Sequence, residues 1–329
     1  GSSQVNAILD ILRHFEKEKG PGWTDVAILS SATNAYGLEL AEVFSNESGD
    51  EFKILSFQQY LVGSGNVELE INEVAKSGAR VILLFVYIQD DAVLLLQTAN
   101  EYGLIGDEYV YVTTDALVGS VVLNDASPED LDLFRGMIGT FDYLSLTRPE
   151  YQKYLEHWQS QDPEEYPGSG PGSVPRTFGM FAYDGFFVAA LAMEKLDERG
   201  LLTDESAIPV EAWVDAIRSV EYEGVTGFIH FDEGGDRIVI MSINYYSPDD
   251  KEWKVAAIFD PVTGLEFLDD IVWNSNSTDV PDLDIREPFS YWSCHDEEKG
   301  FDKTGKKIIL QSPDGSDVDD IDSVYHCDQ

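Results

Sequence analysis

The 329-residue chain carries 62 acidic and 21 basic side chains, which give a formal net charge of -41 at pH 7. A surface this acidic repels nucleic acids and anionic membrane surfaces, so neither is expected as a partner. Because 43% of the residues are hydrophobic and 12% aromatic, the chain can fold around two apolar cores. It contains no run of about 18 apolar residues that would predict a transmembrane helix.

Residues 4–115 alternate between helix and strand patterns. An amphipathic helix is predicted over residues 4–18, followed by an apolar strand at Val26–Leu29 and a second amphipathic helix from Tyr36. The alternation continues with strands at Phe52–Phe57, Ala79–Tyr87 and Tyr109–Thr113 and helices at Val67–Ser77 and Asp91–Tyr102. This pattern predicts a parallel sheet with helices on both faces.

The second half of the chain is less regular. Residues 135–141 are strand-like, and a loop rich in Pro, Gly and Ser occupies residues 163–175. The helix predicted at Phe181–Leu196 is so apolar that it is expected to be buried. The other predicted elements are helices at Pro149–Ser160 and Val210–Val220 and strands at Gly227–Asp232, Arg237–Tyr246, Trp253–Asp260 and Gly264–Trp273.

The polar loop after the first strand is the first candidate binding site. In open α/β sheets ligands bind just beyond the carboxyl ends of the strands, which is where the loop Ser30–Tyr36 is expected to lie. The hydroxyl groups of Ser30 and Ser31 are candidates for contact with a ligand. The alternative is a connecting loop without a binding role.

The C-terminal segment contains both cysteines, Cys294 and Cys327, for which we predict one disulfide, with two free thiols as the alternative. A zinc site that also uses the neighbouring histidines is less favoured. The sequons at Asn46 and Asn276 predict glycosylation and fit a secreted protein. No motif of a hydrolase, nucleotide-binding loop or metalloprotease is present, so we predict no enzyme, no cofactor and no metal site.

Five segments follow one another in an order that is typical of a known family. They are Gln4–Leu12 with Trp23–Ile28 and Ala35–Gly37, Ala79–Leu83 with Ala99–Leu104, Phe181–Gly185, Gly224–Arg237, and Ile271–Trp273 with Val280–Asp282. Together they resemble the ligand-binding region shared by natriuretic peptide receptors, GABA-B-like and glutamate class C receptors, and bacterial amino-acid binding proteins. The resemblance covers residues 4–285 and implies the type I periplasmic-binding, or Venus flytrap, fold.

The resemblance implies two α/β lobes with parallel sheets flanked by helices, joined by crossing hinge strands. It also implies that lobe 1 is incomplete, because the family normally begins with a further segment that builds its first half. A separate or missing segment would then complete lobe 1, and a homo- or hetero-oligomer is also expected. The implied division is 1–145 for most of lobe 2, including the entry helix 4–18, 146–205 for a portion of lobe 1, 206–260 for a return to lobe 2, 261–290 for the hinge and the end of lobe 1, and 291–329 for an acidic, cysteine-containing tail.

The same resemblance implies roles for two further residues. Tyr36 matches a tyrosine that stacks on an amino-acid ligand, and Asp115 matches an acid that pairs with the ligand's ammonium group. Local packing for Tyr36 and capping of the next turn for Asp115 remain open alternatives. Near Phe178, where amino-acid-binding relatives carry a charged residue, Arg176 is a possible ligand contact.

Three functions follow as hypotheses. The first is the extracellular ligand-binding domain of a receptor, which closes on a small, amino-acid-like molecule and is attached to a membrane only through segments outside this chain. The second is a soluble solute-binding protein that serves a transporter. The third is a structural or interaction protein that retains the fold without a ligand.

Overall fold

The computed structural model describes residues 2–87, 89–118, 123, 126–202 and 207–283. The predicted disulfide between Cys294 and Cys327 lies outside the described residues. The helices are α1 (Ser2–Lys19), α2 (Ala35–Glu47), α3 (Glu68–Ser77), α4 (Gln89–Glu101), α5 (Asp115–Val118), α6 (Pro128–Asp132), α7 (Pro149–Ser160), α8 (Thr177–Glu198) and α9 (Val210–Arg218). The strands are β1 (Asp25–Ser31), β2 (Lys53–Tyr60), β3 (Val81–Phe85), β4 (Val110–Thr113), β5 (Ile138–Asp142), β6 (Tyr222–Gly224), β7 (Gly227–Ile229), β8 (Met241–Ser247), β9 (Glu252–Asp260) and β10 (Gly264–Phe267).

Eight of these strands form one mixed sheet in the order β10-β9-β8-β5-β4-β3-β1-β2. β1 to β5 pair in parallel, whereas β8, β9 and β10 extend the sheet by antiparallel pairing. This arrangement confirms the predicted α/β class with helices on both faces. Because the strands β1 and β3 to β5 are parallel, their carboxyl ends lie at one edge of the sheet, and β9 ends there too.

The central strands are buried on both faces, which explains their continuous apolar sequence. All five residues of β3 are buried. Val81, Leu83 and Phe85 point into the core beneath α1 and α2, whereas Ile82 and Leu84 point into the core beneath α3 and α4. Side chains alternate between faces along a strand, so a strand between two cores must be apolar at every position.

An aromatic cluster attaches the two ends of the described chain to the sheet. The rings of Phe15 and Trp23 lie 4.7 Å apart, and Trp273 meets Phe15 at 5.2 Å and Trp23 at 5.6 Å. The indole Nε1 of Trp23 also donates a hydrogen bond of 3.3 Å to the carbonyl of Pro281. The cluster therefore holds α1 and residues 271–283 against the same core.

Between β5 and β8 the chain leaves the main sheet and forms a smaller module of α7, α8, α9 and the β6–β7 hairpin. The prediction that the apolar helix α8 is buried is wrong for one of its sides. Phe186 is 72% exposed and Phe178 57%, and Met193 is also exposed. Apart from the contact between Phe178 and Phe141 of β5, the described neighbours of α8 are α7, α9 and a two-stranded hairpin. They cover the side that carries Met180, Asp184, Val188, Ala192 and Leu196. The domain boundaries given above remain a prediction.

Asp184 fixes the β6–β7 hairpin to α8. Its buried carboxylate accepts hydrogen bonds from the backbone N–H groups of Val225 (2.9 Å) and Thr226 (2.7 Å) and from the Thr226 hydroxyl (2.5 Å). A Cβ atom at Gly224 would lie only 2.5 Å from the carboxylate. The hairpin can therefore approach α8 this closely only with glycine at position 224.

We expect the substitution Asp184→Ala to destabilise the protein by about 3 kcal/mol, because it leaves two buried N–H groups without an acceptor. Gly224→Ala should also destabilise it, since the added methyl group meets the carboxylate. Chemical denaturation followed by circular dichroism measures both effects. Gly185→Ala is the matched control, because no atom lies within 4 Å of its added Cβ and alanine is favoured within a helix. A loss of stability in this control as large as that in Asp184→Ala would contradict the assignment.

Candidate functional site

The loop from β1 to α2 presents Tyr36 at the carboxyl edge of the sheet. The hydroxyl of Ser31 accepts hydrogen bonds from the N–H groups of Thr33 (3.3 Å) and Asn34 (2.9 Å), and the Asn34 side chain caps α2 by accepting from Tyr36 N–H at 2.9 Å. Gly37 lets the helix begin close to β3, because a Cβ atom at this position would clash with the carbonyl oxygen of Phe85. The polar sequence of this loop thus sets the entry angle of the helix.

Tyr36 and Asp115, which are both predicted as ligand contacts, meet directly, and their ligand roles remain a prediction. The Tyr36 hydroxyl donates a short hydrogen bond to Oδ1 of Asp115 and lies 2.7 Å from the Thr114 hydroxyl and 3.5 Å from Oε1 of Gln4. Burial raises the pKa of Tyr36, and the nearby Asp115 carboxylate raises it further, so the phenol stays protonated. The Tyr87 ring lies 5.8 Å from that of Tyr36 and is exposed, so the two rings form an aromatic surface at this edge.

The other predicted ligand contacts occupy different positions. Ser30 is buried, and its hydroxyl has no hydrogen-bond partner in the described structure. Ser31 is buried too, with its hydroxyl engaged in the loop. Arg176 lies exposed at the start of α8, and the Phe178 ring meets that of Phe141 in β5 at 6.5 Å. The ligand roles of Ser30, Ser31 and Arg176 therefore remain predictions.

Asp142 and Arg237 extend this polar edge, and the sequence did not single out either of them. Asp142 ends β5, next to β4 and Asp115, and Arg237 belongs to the segment that leads back into β8. Burial raises the pKa of Asp142 to about 6, with Arg237 lowering it and Asp115 raising it. One signal in the sequence could have identified Asp142. It is a charged residue at the end of β5, and β5 pairs with β4, the strand that precedes Asp115.

Two features of the described residues bear on other functions. No group of three or more His, Cys, Asp or Glu side chains there is arranged to hold a metal ion. None of the helices in the same residues is both long enough and apolar enough to cross a bilayer.

The predicted glycosylation sites are both exposed. Asn46 lies in the last turn of α2, where the Ser48 of its sequon is buried. Asn276 adopts φ of 58° and accepts a hydrogen bond of 3.2 Å from Arg135. Modification of either asparagine remains a prediction.

Comparison with known proteins assigns the family. The profile described as "Receptor family ligand binding region" matches residues 1–248. The chain belongs to this family. It is therefore a ligand-binding region of a family that binds small ligands rather than an enzyme, as predicted from the sequence.

Receptor-family relatives include two plant proteins. The chain is 25% identical over 261 residues to "Glutamate receptor 3.1" of Oryza sativa subsp. japonica, which covers 71% of this chain and 26% of that protein. It is 21% identical over 311 residues to "Glutamate receptor 2.7" of Arabidopsis thaliana, which covers 85% of this chain and 31% of that protein. The chain thus corresponds to about a third or less of each relative.

A solved structure supports the fold independently. The leucine binding protein LivK of Thermotoga maritima aligns with a TM-score of 0.55 and 17% sequence identity, over 79% of this chain and 66% of that protein. This likeness confirms the predicted type I periplasmic-binding fold.

The raised pKa of Asp142 makes a prediction for stability. Between about pH 4 and pH 6 the unfolded chain releases this proton while the folded chain retains it, so this residue lowers the free energy of unfolding as the pH rises through that window. Asp142→Asn removes the effect, because an amide cannot ionise. At pH 7 we expect the variant to be more stable than the native chain by about 2 kcal/mol, allowing for partial screening by solvent.

Urea denaturation at pH 3.5, 5 and 7 measures this difference. It should become small at the lowest pH, where the native aspartate is mostly protonated in both the folded and the unfolded state. An advantage of Asp142→Asn that does not change with pH would contradict a raised pKa at this position.

Proposed function

We propose that this chain is the extracellular ligand-binding domain of a receptor and that it closes on a small, amino-acid-like molecule at the Tyr36–Asp115 pair. The observation that carries the proposal is this pair, which presents a carboxylate and an aromatic wall at the carboxyl edge of parallel strands. The hydrogen bond from the Tyr36 hydroxyl engages one oxygen of Asp115, which leaves the other to accept an ammonium group.

The surroundings of the pair favour a cationic group. Asp142 adds negative potential next to Asp115, and the exposed Tyr87 ring offers a face over which an ammonium can lie. A ligand that contacts this edge and the smaller module together would stabilise a closed arrangement by its higher affinity for it. The plant glutamate receptors named above favour a receptor over a transporter-linked binding protein.

Asp115→Asn tests the proposed site. Loss of the charge should weaken the binding of an ammonium-bearing ligand by about tenfold or more, because hydrogen bonds between charged groups contribute about 1.5–3 kcal/mol. A thermal-shift screen of amino acids and small amines comes first, since a ligand at 100 times its Kd stabilises the native chain by about 2.7 kcal/mol. Isothermal titration of the ligand found then compares the variants.

Asp107→Asn is the matched control. Asp107 is exposed and precedes β4, whereas Asp115 follows β4 at its opposite end. Tyr36→Phe should weaken binding less than Asp115→Asn, since it removes only the hydrogen bond that orients the carboxylate. Equal affinity for the native chain and Asp115→Asn would place the ligand elsewhere.

We also propose that the exposed side of α8 is covered in the working receptor by a polypeptide segment that completes lobe 1. This side carries Phe178, Ala182, Phe186, Ala189 and Met193, at spacings of three and four residues. Small and apolar residues at this period are typical of a helix face that packs on a sheet. The small residues allow close approach, and the aromatic ones supply most of the apolar area.

In the isolated chain this face should promote association. We expect Phe186→Asp with Met193→Asp to shift the chain towards monomer in light scattering at increasing concentration, without lowering its midpoint of thermal unfolding. Leu69→Asp, on the exposed side of α3, is the control. If α8 exchanges its amide hydrogens equally fast in the isolated chain and in a longer protein that contains it, nothing covers this face.

A further inference from the structure

A cavity lies between the segments that join the main sheet to the smaller module. Its volume is about 290 Å³, close to the lower limit for small-ligand sites. Its walls come from the segment after β5, the β7 hairpin, the segment before β8 and the turn after β9. We call it the hinge cavity, lined by residues 142–148, 226–230, 237–240 and 260–262.

Two backbone hydrogen bonds hold these walls together. Tyr143 N–H donates to the carbonyl of Ile240 at 2.8 Å, and Ile238 N–H donates to the carbonyl of His230 at 3.1 Å. The two connecting segments therefore run side by side where the chain passes between the main sheet and the smaller module. A ligand in the hinge cavity would contact both segments.

Arg237 brings a cation to the cavity without a direct counter-ion. Its Nη2 donates to the carbonyl of Thr226 at 3.3 Å, whereas its Nε is buried and has no acceptor in the described structure. Burial lowers the pKa of Arg237, and Asp142 and Asp184 act on it in the opposite direction. Among the described residues no carboxylate forms an ion pair with this guanidinium, although Asp142 is close enough to influence it.

Two more donors border the same cavity. The Nε of Arg148 is buried and has no acceptor among the described residues, while its Nη2 pairs with Glu223. The Nδ1 of His230 is likewise buried without a partner, and the imidazole lies 5.2 Å from the ring of Phe228. A buried donor without an acceptor costs about 1–3 kcal/mol. Acceptor atoms placed here would relieve this cost at the Nε atoms of both arginines and, when Nδ1 carries hydrogen, at His230.

We propose that the hinge cavity binds a small oxyanion, of the carboxylate, sulfate or phosphate class, through Arg237, Arg148 and His230. Guanidinium groups match the planar or tetrahedral oxygens of these anions, and His230 donates when its Nδ1 carries hydrogen. Of the acids in the wall, Asp260 is engaged by the N–H groups of Val262 (2.7 Å) and Thr263 (3.2 Å). Asp142 faces the cation, and its protonated form can donate to the bound anion.

Anion binding at this place would act on the hinge rather than on the cleft. An oxyanion that contacts both connecting segments would restrict their relative movement and so alter closure of the two parts. This site is distinct from the Tyr36–Asp115 pair, because its donors are different residues and its ligand has the opposite charge, although Asp142 borders both.

The test compares sodium sulfate, phosphate and acetate with sodium chloride at equal ionic strength, in thermal unfolding and isothermal titration. Sulfate and phosphate also stabilise proteins non-specifically, so the decisive comparison is between variants. Arg237→Gln should weaken oxyanion binding by about tenfold or more, since it removes a charged donor. Arg199→Gln changes the net charge equally at an exposed position and should bind as the native chain does.

Asp115→Asn should change the oxyanion affinity far less than Arg237→Gln does, which separates this site from the proposed cleft. Equal stabilisation of the native chain and Arg237→Gln by every oxyanion would overturn the proposal. If Arg237→Gln does not fold, NMR of the native chain in which arginine is labelled with ¹⁵N decides. The Nε–H signals of Arg237 and Arg148 should then shift and saturate with phosphate while that of Arg199 does not, and unchanged signals of Arg237 and Arg148 would overturn the proposal equally.

Discussion

Burial of β3 on both faces is the constraint on which the rest of the structure depends. A strand that is apolar at all five positions must have a core above and below it, so helices have to cover both sides of the sheet. Helices that alternate between the two faces in turn require crossover connections and parallel strands. The consequence for function is that the loops after β1, β3 and β4 meet at one edge, where they bring Tyr36, Tyr87 and Asp115 together.

Many helices and strands could be predicted because their local hydrophobic patterns agree with their burial. The structure contains the predicted strand at Val26–Leu29 and the predicted helix at Pro149–Ser160. In each segment the hydrophobic pattern and the residues at the ends indicate the element without help from tertiary contacts. The hairpin strand β6 was missed because three residues carry no period. The strand predicted from Arg237 begins only at Met241, since residues 237–240 are a connecting segment whose course is set by its partners rather than by its own sequence.

The candidate site was predictable only in part, for a related reason. Tyr36 and Asp115 each follow a strand, so their common edge could be inferred from the parallel order. Their mutual hydrogen bond could not, because it depends on how α2 is positioned by Ser31, Asn34 and Gly37. The apolar sequence of α8 predicted a buried helix, but one side of α8 is exposed. A sequence shows that a helix face is apolar, and it does not show which surface covers that face.

The two proposed sites stand in different electrostatic situations. A net charge of -41 attracts a cationic group towards Asp115 from a distance and repels an oxyanion, although salt screens both effects beyond about 10 Å. An oxyanion therefore has to be held by short-range contacts in a place of low dielectric. The buried nitrogens of Arg237, Arg148 and His230 can make such contacts. Asp142 lies between the two sites and interacts with both Asp115 and Arg237. A change in the charge of Asp142 would thus act on the two sites with opposite sign, because ionisation favours a cation at Asp115 and opposes an anion at Arg237.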